Sequence, residues 1–287
     1  MQKMTIAKIW RLVWLVPVLL TSSVILADDT AEKDDAAKKE LPTPDAVIEK
    51  MITAAGGKEA MAKVTSRYAK GELEFMGQGM TATFERWNAG KNQLREVVEI
   101  AQLGTMEQGV LGEHAWAVNP FQGASLQDGA EKELSIRGSR LHPLLHVKHD
   151  YAEMKTTGRE SINGKSCVVL EMTTPEKQVE TWFVDEESWH RIRTTMTMES
   201  PMTGKIKVTT TESNFKEIDG LMFAHNILMD QGIQKIAVRM TEVTQNLSIP
   251  AEKFQLPASV KALVDREKAK EKAEEEKSTG EKAGAGL

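Results

Sequence analysis

The sequence predicts a mainly β protein of the α+β class, built on one large and strongly curved antiparallel sheet with helices over its apolar face. Three observations lead there. The apolar period changes from 3.6 to 2 after Val64, glycine- and asparagine-bearing turns punctuate the alternating stretches, and two apolar helical segments precede and interrupt them.

Taken in order, Lys3, Lys8 and Arg11 precede an apolar run from Leu12 to Leu20, and Ala27 is followed abruptly by Asp28-Asp29. A basic start, an apolar centre and a small residue before a polar segment predict a secretory leader over residues 1–27, cleaved after Ala27. Pro17 and three hydroxyl residues interrupt the run, which falls short of the ~20 apolar residues a spanning helix needs. The mature chain is therefore expected in the periplasm. Residues 28–43, mostly Asp, Glu, Lys, Ala and Thr, read as an acidic, disordered tether.

A folded domain is expected over residues 44–264. Thr43 and Pro44 carry helix-start chemistry, and Val47, Ile48, Met51, Ile52 and Ala55 recur at helical spacing. Alternation then predicts strands at 71–75, 80–87, 93–100, 105–111 and 114–119. Residues 131–151 interrupt this meander as a partly helical insertion. Strands resume at 154–159, 166–173, 179–184, 191–199, 205–216, 222–229 and 233–247, with hairpin turns at Asn163-Gly164, Thr203-Gly204 and Asp219-Gly220. A helix carrying Val260, Leu263 and Val264 closes the domain, and residues 265–287 read as a charged helical tail that becomes disordered.

Composition narrows the function. The chain has 287 residues, a net charge of −5 and one cysteine. Without the leader the balance is 34 basic against 42 acidic residues, or −8, which excludes the basic face of a nucleic-acid binder. One cysteine excludes an intramolecular disulfide and a multi-thiolate zinc site. The residues between Gly158 and Ser166 fail as a phosphate loop, because five residues separate the glycines and a hairpin follows where a helix is required. No Gly-x-Ser-x-Gly or His-Glu-x-x-His is present, so no catalytic residue is assigned and no cofactor is expected.

Two metal candidates remain. His142, His146 and His149 would share one face if their segment were helical, and Met196, Met198 and Met202 could offer thioethers to Cu(I). Packing roles compete with both, and Cys167 among apolar neighbours reads as a small buried hydrophobe. The inward members of the alternating strands form the candidate lining of an apolar interior: Phe75, Phe84, Leu94, Val98, Met106, Trp116, Trp182, Met196, Met198, Ile227 and Met240. That set suits a packed core or a lipid-sized cavity.

Four stretches carry a resemblance. They are Ala54-Ala55-Gly56-Gly57-Lys58-Glu59-Ala60, the segment from Gly112 through Trp116 and Pro120 to Gly123, the segment from Asn214 through Asp219-Gly220 to His225, and Ile249 to Pro257. In this order, within residues 46–263, they resemble the outer-membrane lipoprotein-sorting-protein-like group of the LolA-like superfamily of periplasmic lipoprotein carriers. Ala224 stands where that group usually has proline. The resemblance implies an unclosed, curved antiparallel barrel with a helical lid over an apolar cavity, holding acyl chains or other hydrophobic ligands without chemistry. The arginine with which the lipoprotein carriers latch their lid has no counterpart placed on this sequence.

The expectation is thus a monomeric, non-enzymatic periplasmic carrier or binder of lipoprotein acyl chains or another hydrophobic ligand, with room for an envelope protein partner. The alternatives are an envelope interaction module with a packed core, and a histidine-rich metal-binding protein.

Overall fold

A computed structural model gives the fold and describes residues 40–90, 92–101, 103–200 and 204–284. The expected leader, residues 28–39 of the tether, Met202 and Thr203 lie outside the described residues.

Helix α1 (Pro44–Ala54) begins where Thr43 Oγ1 accepts the Ala46 N–H at 3.3 Å, with Pro44 at the first helical position. Its apolar stripe buries Val47, Ile48, Met51 and Ile52. Gly56 and Gly57 have φ of 114° and 88°, which side-chain-bearing residues rarely adopt, and they turn the chain into the short α2 (Lys58–Ala62).

Fifteen strands are present among the described residues. The first six are β1 (Ser66–Phe75), β2 (Met80–Ala89), β3 (Gln93–Ile100), β4 (Gly104–Leu111), β5 (His114–Asn119) and β6 (Gly123–Leu126). Helix α3 (Gly129–Gly138), a 3-10 turn (Pro143–His146) and α4 (Val147–Asp150) make up the insertion. Then come β7 (Glu153–Ile162), β8 (Lys165–Thr173), β9 (Val179–Asp185), β10 (Arg191–Ser200) and β11 (Gly204–Ser213). The last four are β12 (Lys216–Ile218), β13 (Leu221–Phe223), β14 (Asn226–Asp230) and β15 (Lys235–Gln245). A 3-10 turn (Ala251–Phe254) leads to helix α5 (Ala258–Gly284).

Thirteen strands form one sheet in the order β6-β5-β4-β3-β2-β1-β15-β14-β11-β10-β9-β8-β7, antiparallel throughout. Strands β6 and β7 are its two edges and do not pair, so the sheet is open, as the half-barrel reading requires. The structure adds β6, which is too short to announce itself by alternation.

It also corrects two long strands. The stretches 205–216 and 222–229 each break in two, because Asn214 takes φ +53° and residues 224–225 are not in a strand. Strands β12 and β13 then pair separately as a small hairpin. Asp219 and Gly220 at its tip have φ of 51° and 77°, the two positive values of a type I′ turn.

The concave face has two regimes. At one end Leu73, Phe75, Phe84, Met106, Ile227, Ile236 and Met240 pack into a continuous cluster. Gly71 is required there, since a Cβ on it would lie 2.7 Å from the Phe84 ring and 2.1 Å from the Arg239 carbonyl. Over the other end, α3 bridges the arms of the sheet. Its Leu134 packs on Met198, Ile206 and Val208, and its Ile136 packs on Leu94, Val110 and Ala115.

On the opposite face α5 lies against β5 and β6. Val260 and Val264 are buried, but Asp265 to Glu274 are all exposed while the backbone stays helical.

Candidate ligand-binding cavity

Where the insertion, α1, α2 and the β12–β13 hairpin converge over the concave sheet, they leave a cavity of about 160 Å³. Its floor is strand-borne: Arg67 and Ala69 from β1, Arg86 and Asn88 from β2, Trp182 from β9, Arg191 from β10 and Glu212 from β11. Its roof is Met51, Ala55 and Met61, the segment from Gly138 to Leu144, and Leu221, Met222 and Phe223 of the hairpin.

The hairpin docks because Gly56 has no side chain. A Cβ there would sit 2.1 Å from the Gly220 carbonyl oxygen, and beside it the Met222 N–H donates to the Ala55 carbonyl at 3.2 Å. Leu221 and Phe223 join Val47, Met51, Val147, Val168, Leu170 and Trp182 in one apolar cluster.

The floor is polar where the lid touches it. Arg86 Nη2 donates to the Gly138 carbonyl at 2.5 Å, Asn88 Nδ2 to the Ser139 carbonyl at 3.0 Å, and Arg67 Nη1 to the Leu141 carbonyl at 3.0 Å. Three side chains of adjacent strands thereby hold the carbonyls that end α3 and begin its exit. Behind them Arg86 Nη1 lies 3.2 Å from Glu96 Oε2, and Gln108 Nε2 donates to Glu96 Oε1 at 2.6 Å. On the other arm Arg191 Nη2 lies 3.1 Å from Glu212 Oε1. Glu180 accepts from Tyr151 Oη at 2.7 Å and from Trp182 Nε1 at 3.1 Å.

Burial and partnering act on these groups in opposite senses. Burial works against the charge on Arg191, yet Glu212 beside it holds the guanidinium above the ordinary arginine value. Burial, and then the neighbouring charge of Arg86, lower Arg67 to about 9. Burial, then Arg67, lower His142 to about 4, so its ring is neutral at neutral pH.

Burial likewise lowers His146, His190 and His225. The unfolded chain takes up protons below pH ~6.5 that these folded rings refuse, so stability is lost as pH falls from about 7 towards 4. For His142 the loss is about 1–2 kcal/mol after discounting for solvent screening. Thermal melts between pH 7 and 4 should show it, and His142→Gln should flatten the profile; an unchanged slope would contradict the assignment.

Of the residues predicted to line the interior, Trp182 lines this cavity. Phe75, Phe84, Met106, Ile227 and Met240, with Val98 against them, lie in the packed cluster at the other end. Leu94 is packed near Ile136, and Met196 and Met198 pack with Leu134. Trp116 does not face the interior as predicted: Ala115 and Ala117 join the concave-face clusters, so alternation puts Trp116 on the opposite face, beside Gly109, where a Cβ would meet its ring at 2.6 Å.

The three histidines do not share one helix. His142 precedes the 3-10 turn with φ −135°, His146 ends that turn, and the exposed His149 lies in α4 with Nδ1 3.0 Å from Asp150 Oδ1. Among the described residues no three His, Cys, Asp or Glu side chains are grouped to hold a metal. Cys167 is fully buried, and burial pushes its thiol up to about 12, leaving it protonated.

The arginines were missed by sequence reasoning, although a signal existed. Arg86 follows Phe84 by two residues, Arg67 precedes Ala69 by two, and Glu96 lies between Leu94 and Val98. All are charges on the inward phase of an alternating strand.

An open thirteen-stranded sheet bridged by an inserted helix can be compared directly with solved structures. A LolA superfamily protein from Nitrosomonas europaea superposes with a TM-score of 0.52 at 14% identity, covering 75% of this chain and 98% of that one. The fold is LolA-like. A DUF1329 family protein from Desulfovibrio piger shares it, with a TM-score of 0.53 at 12% identity over 75% of this chain and 98% of that one. No protein-family model and no curated protein matches the chain in sequence. In this LolA-like fold the cavity sits at the seam between lid and sheet.

Proposed function

We propose that the protein is a non-enzymatic periplasmic carrier or binder of a hydrophobic ligand, the acyl chain of a lipoprotein or another lipid, taken up between the concave sheet and its helical lid. The observation that carries this reading is the cavity at that seam, walled by Met51, Met61, Leu144, Trp182 and Phe223 beneath a roof tied down by few polar contacts.

Magnitudes support a lid that opens. A space of about 160 Å³ accommodates something near the size of benzene, whereas ligand sites usually measure ~300–1,000 Å³. The three lid hydrogen bonds, two of them from guanidinium groups, are together worth about 4–7 kcal/mol. Burying twelve methylenes contributes roughly 10 kcal/mol. A long chain therefore outweighs the latch and a short one does not.

Displacing α3 uncovers Leu94, Met196 and Met198, which extend the lining along the sheet; Met side chains adapt to irregular ligands. The resemblance and the expected leader support the periplasmic site of action.

Organic extraction of the purified mature protein followed by mass spectrometry tests the reading. Co-purifying lipid at near-equimolar amount is the expected result. Consistent absence of lipid, with no uptake of added long-chain ligand, would instead favour an envelope interaction module. The packed far end of the sheet and the exposed charged stretch of α5 are compatible with such a role.

A further inference from the structure

We propose that Arg67 receives the oxyanion head group of an amphiphile, a carboxylate or phosphate whose alkyl chain lies along the apolar wall of the cavity. This rests on the carrier reading and adds the head-group chemistry to it.

Four arginines line the cavity, and three have a carboxylate of their own. Arg86 pairs with Glu96 at 3.2 Å, Arg140 with Asp150 at 2.5 Å and Arg191 with Glu212 at 3.1 Å. Arg67 has none among the described residues. Its Nη1 bonds the Leu141 carbonyl and its guanidinium lies 4.5 Å from the Phe223 ring centroid, while its Nε meets no acceptor although the residue is only 9% exposed. His142, also lining the cavity, has a buried Nε2 that is likewise unpartnered.

A buried guanidinium without a counter-charge is strongly unfavourable, and buried polar atoms in native folds are rarely left unsatisfied. Even lowered to about 9, Arg67 is charged at neutral pH. The cavity thus carries one uncompensated positive charge beside Met51, Met61, Trp182 and Phe223. A free Nε on a planar fork suits a carboxylate or phosphate, and the neighbouring apolar wall suits an alkyl chain. A neutral lipid would leave the charge unmet, and a free inorganic ion would leave the apolar wall empty.

The test titrates the delipidated mature protein with dodecanoate, dodecyl phosphate, dodecanol and inorganic phosphate, reading tryptophan fluorescence from Trp182 and Trp189. The two dodecyl anions are expected to bind at least tenfold more tightly than dodecanol. Arg67→Met should erase that preference, whatever the lost bond to the Leu141 carbonyl does to the lid, and Arg67→Lys should retain part of it. Equal binding of dodecanoate and dodecanol by the unaltered protein would overturn the proposal and leave the carrier reading standing. A lower Tm in Arg67→Met with the anion preference intact would also overturn it, making Arg67 a strut. Binding of inorganic phosphate alone, with no dodecyl compound bound, would overturn the carrier reading and the amphiphile with it.

Discussion

Replacing Arg86 by methionine is expected to destabilise the protein by about 3–5 kcal/mol, because it leaves the Glu96 carboxylate buried without its cation. Both side chains are nearly inaccessible, at 6% and 3%, so water cannot take over the lost partner. The same change removes the bonds to Asn88 Oδ1 and the Gly138 carbonyl and loosens the end of α3. Urea unfolding monitored by circular dichroism measures the loss as a shift in midpoint at constant slope. The double replacement Arg86→Met with Glu96→Leu should recover more than half of it, since an ion pair exchanged whole for apolar groups is often near neutral. A single variant within about 1 kcal/mol of the parent would show that the pair is solvated in solution.

Gly56→Ala should act on the other side of the lid. At φ +114° a side chain strains the backbone by about 1–3 kcal/mol. Its Cβ would also stand 2.1 Å from the Gly220 carbonyl oxygen, a backbone atom that no rotamer change can move. Relief requires the β12–β13 hairpin to lift from α1, uncovering Leu221 and Phe223, and the total loss should be about 2–4 kcal/mol. Hydrogen exchange of the amides in 216–223 should accelerate, and uptake of an added long-chain ligand should be faster than in the parent. Gly57→Ala is the control, because its φ is also positive but nothing lies within 4 Å of its Cβ. If both variants behave alike, the contact with Gly220 is irrelevant to lid closure.

The two sites differ in how far they could be read from sequence. Gly56 stands in a Gly-Gly pair ending an amphipathic helix, and its role as a break follows from backbone chemistry alone. Its contact with Gly220, more than 160 residues later, depends on where the hairpin comes to rest. Arg86 and Glu96 face inward by simple alternation. What turns two misplaced charges into a pair is their cross-strand register, Arg86 opposite Glu96. The histidines failed in the reverse direction: a spacing of four and three matters only on a continuous helix, and Pro143 opens a 3-10 turn between His142 and His146.

Most of the residues predicted to line the interior fill space at the end of the sheet away from the lid. Periodicity assigns a residue to a face, and it is silent on where along a curved sheet the opposite wall approaches. Phe84, for instance, occupies the room that Gly71 leaves, two strand neighbours closing a gap that a cavity would have kept.

By itself, then, the sequence determined the class of elements and their order, because helix caps, strand alternation and Asn-Gly or Asp-Gly turns are local physics acting over a few residues. It also excluded an intramolecular disulfide, since a single cysteine is a fact of composition. Only the tertiary structure decided that the curved sheet stays open, that the lid is tied by Arg67, Arg86 and Asn88, and that the space beneath it is small and carries an unmatched arginine. Those properties arise from residues far apart in the chain, such as Arg67 and Leu141 or Gly56 and Gly220, whose meeting depends on how the sheet curls and on which carbonyls the lid presents to it.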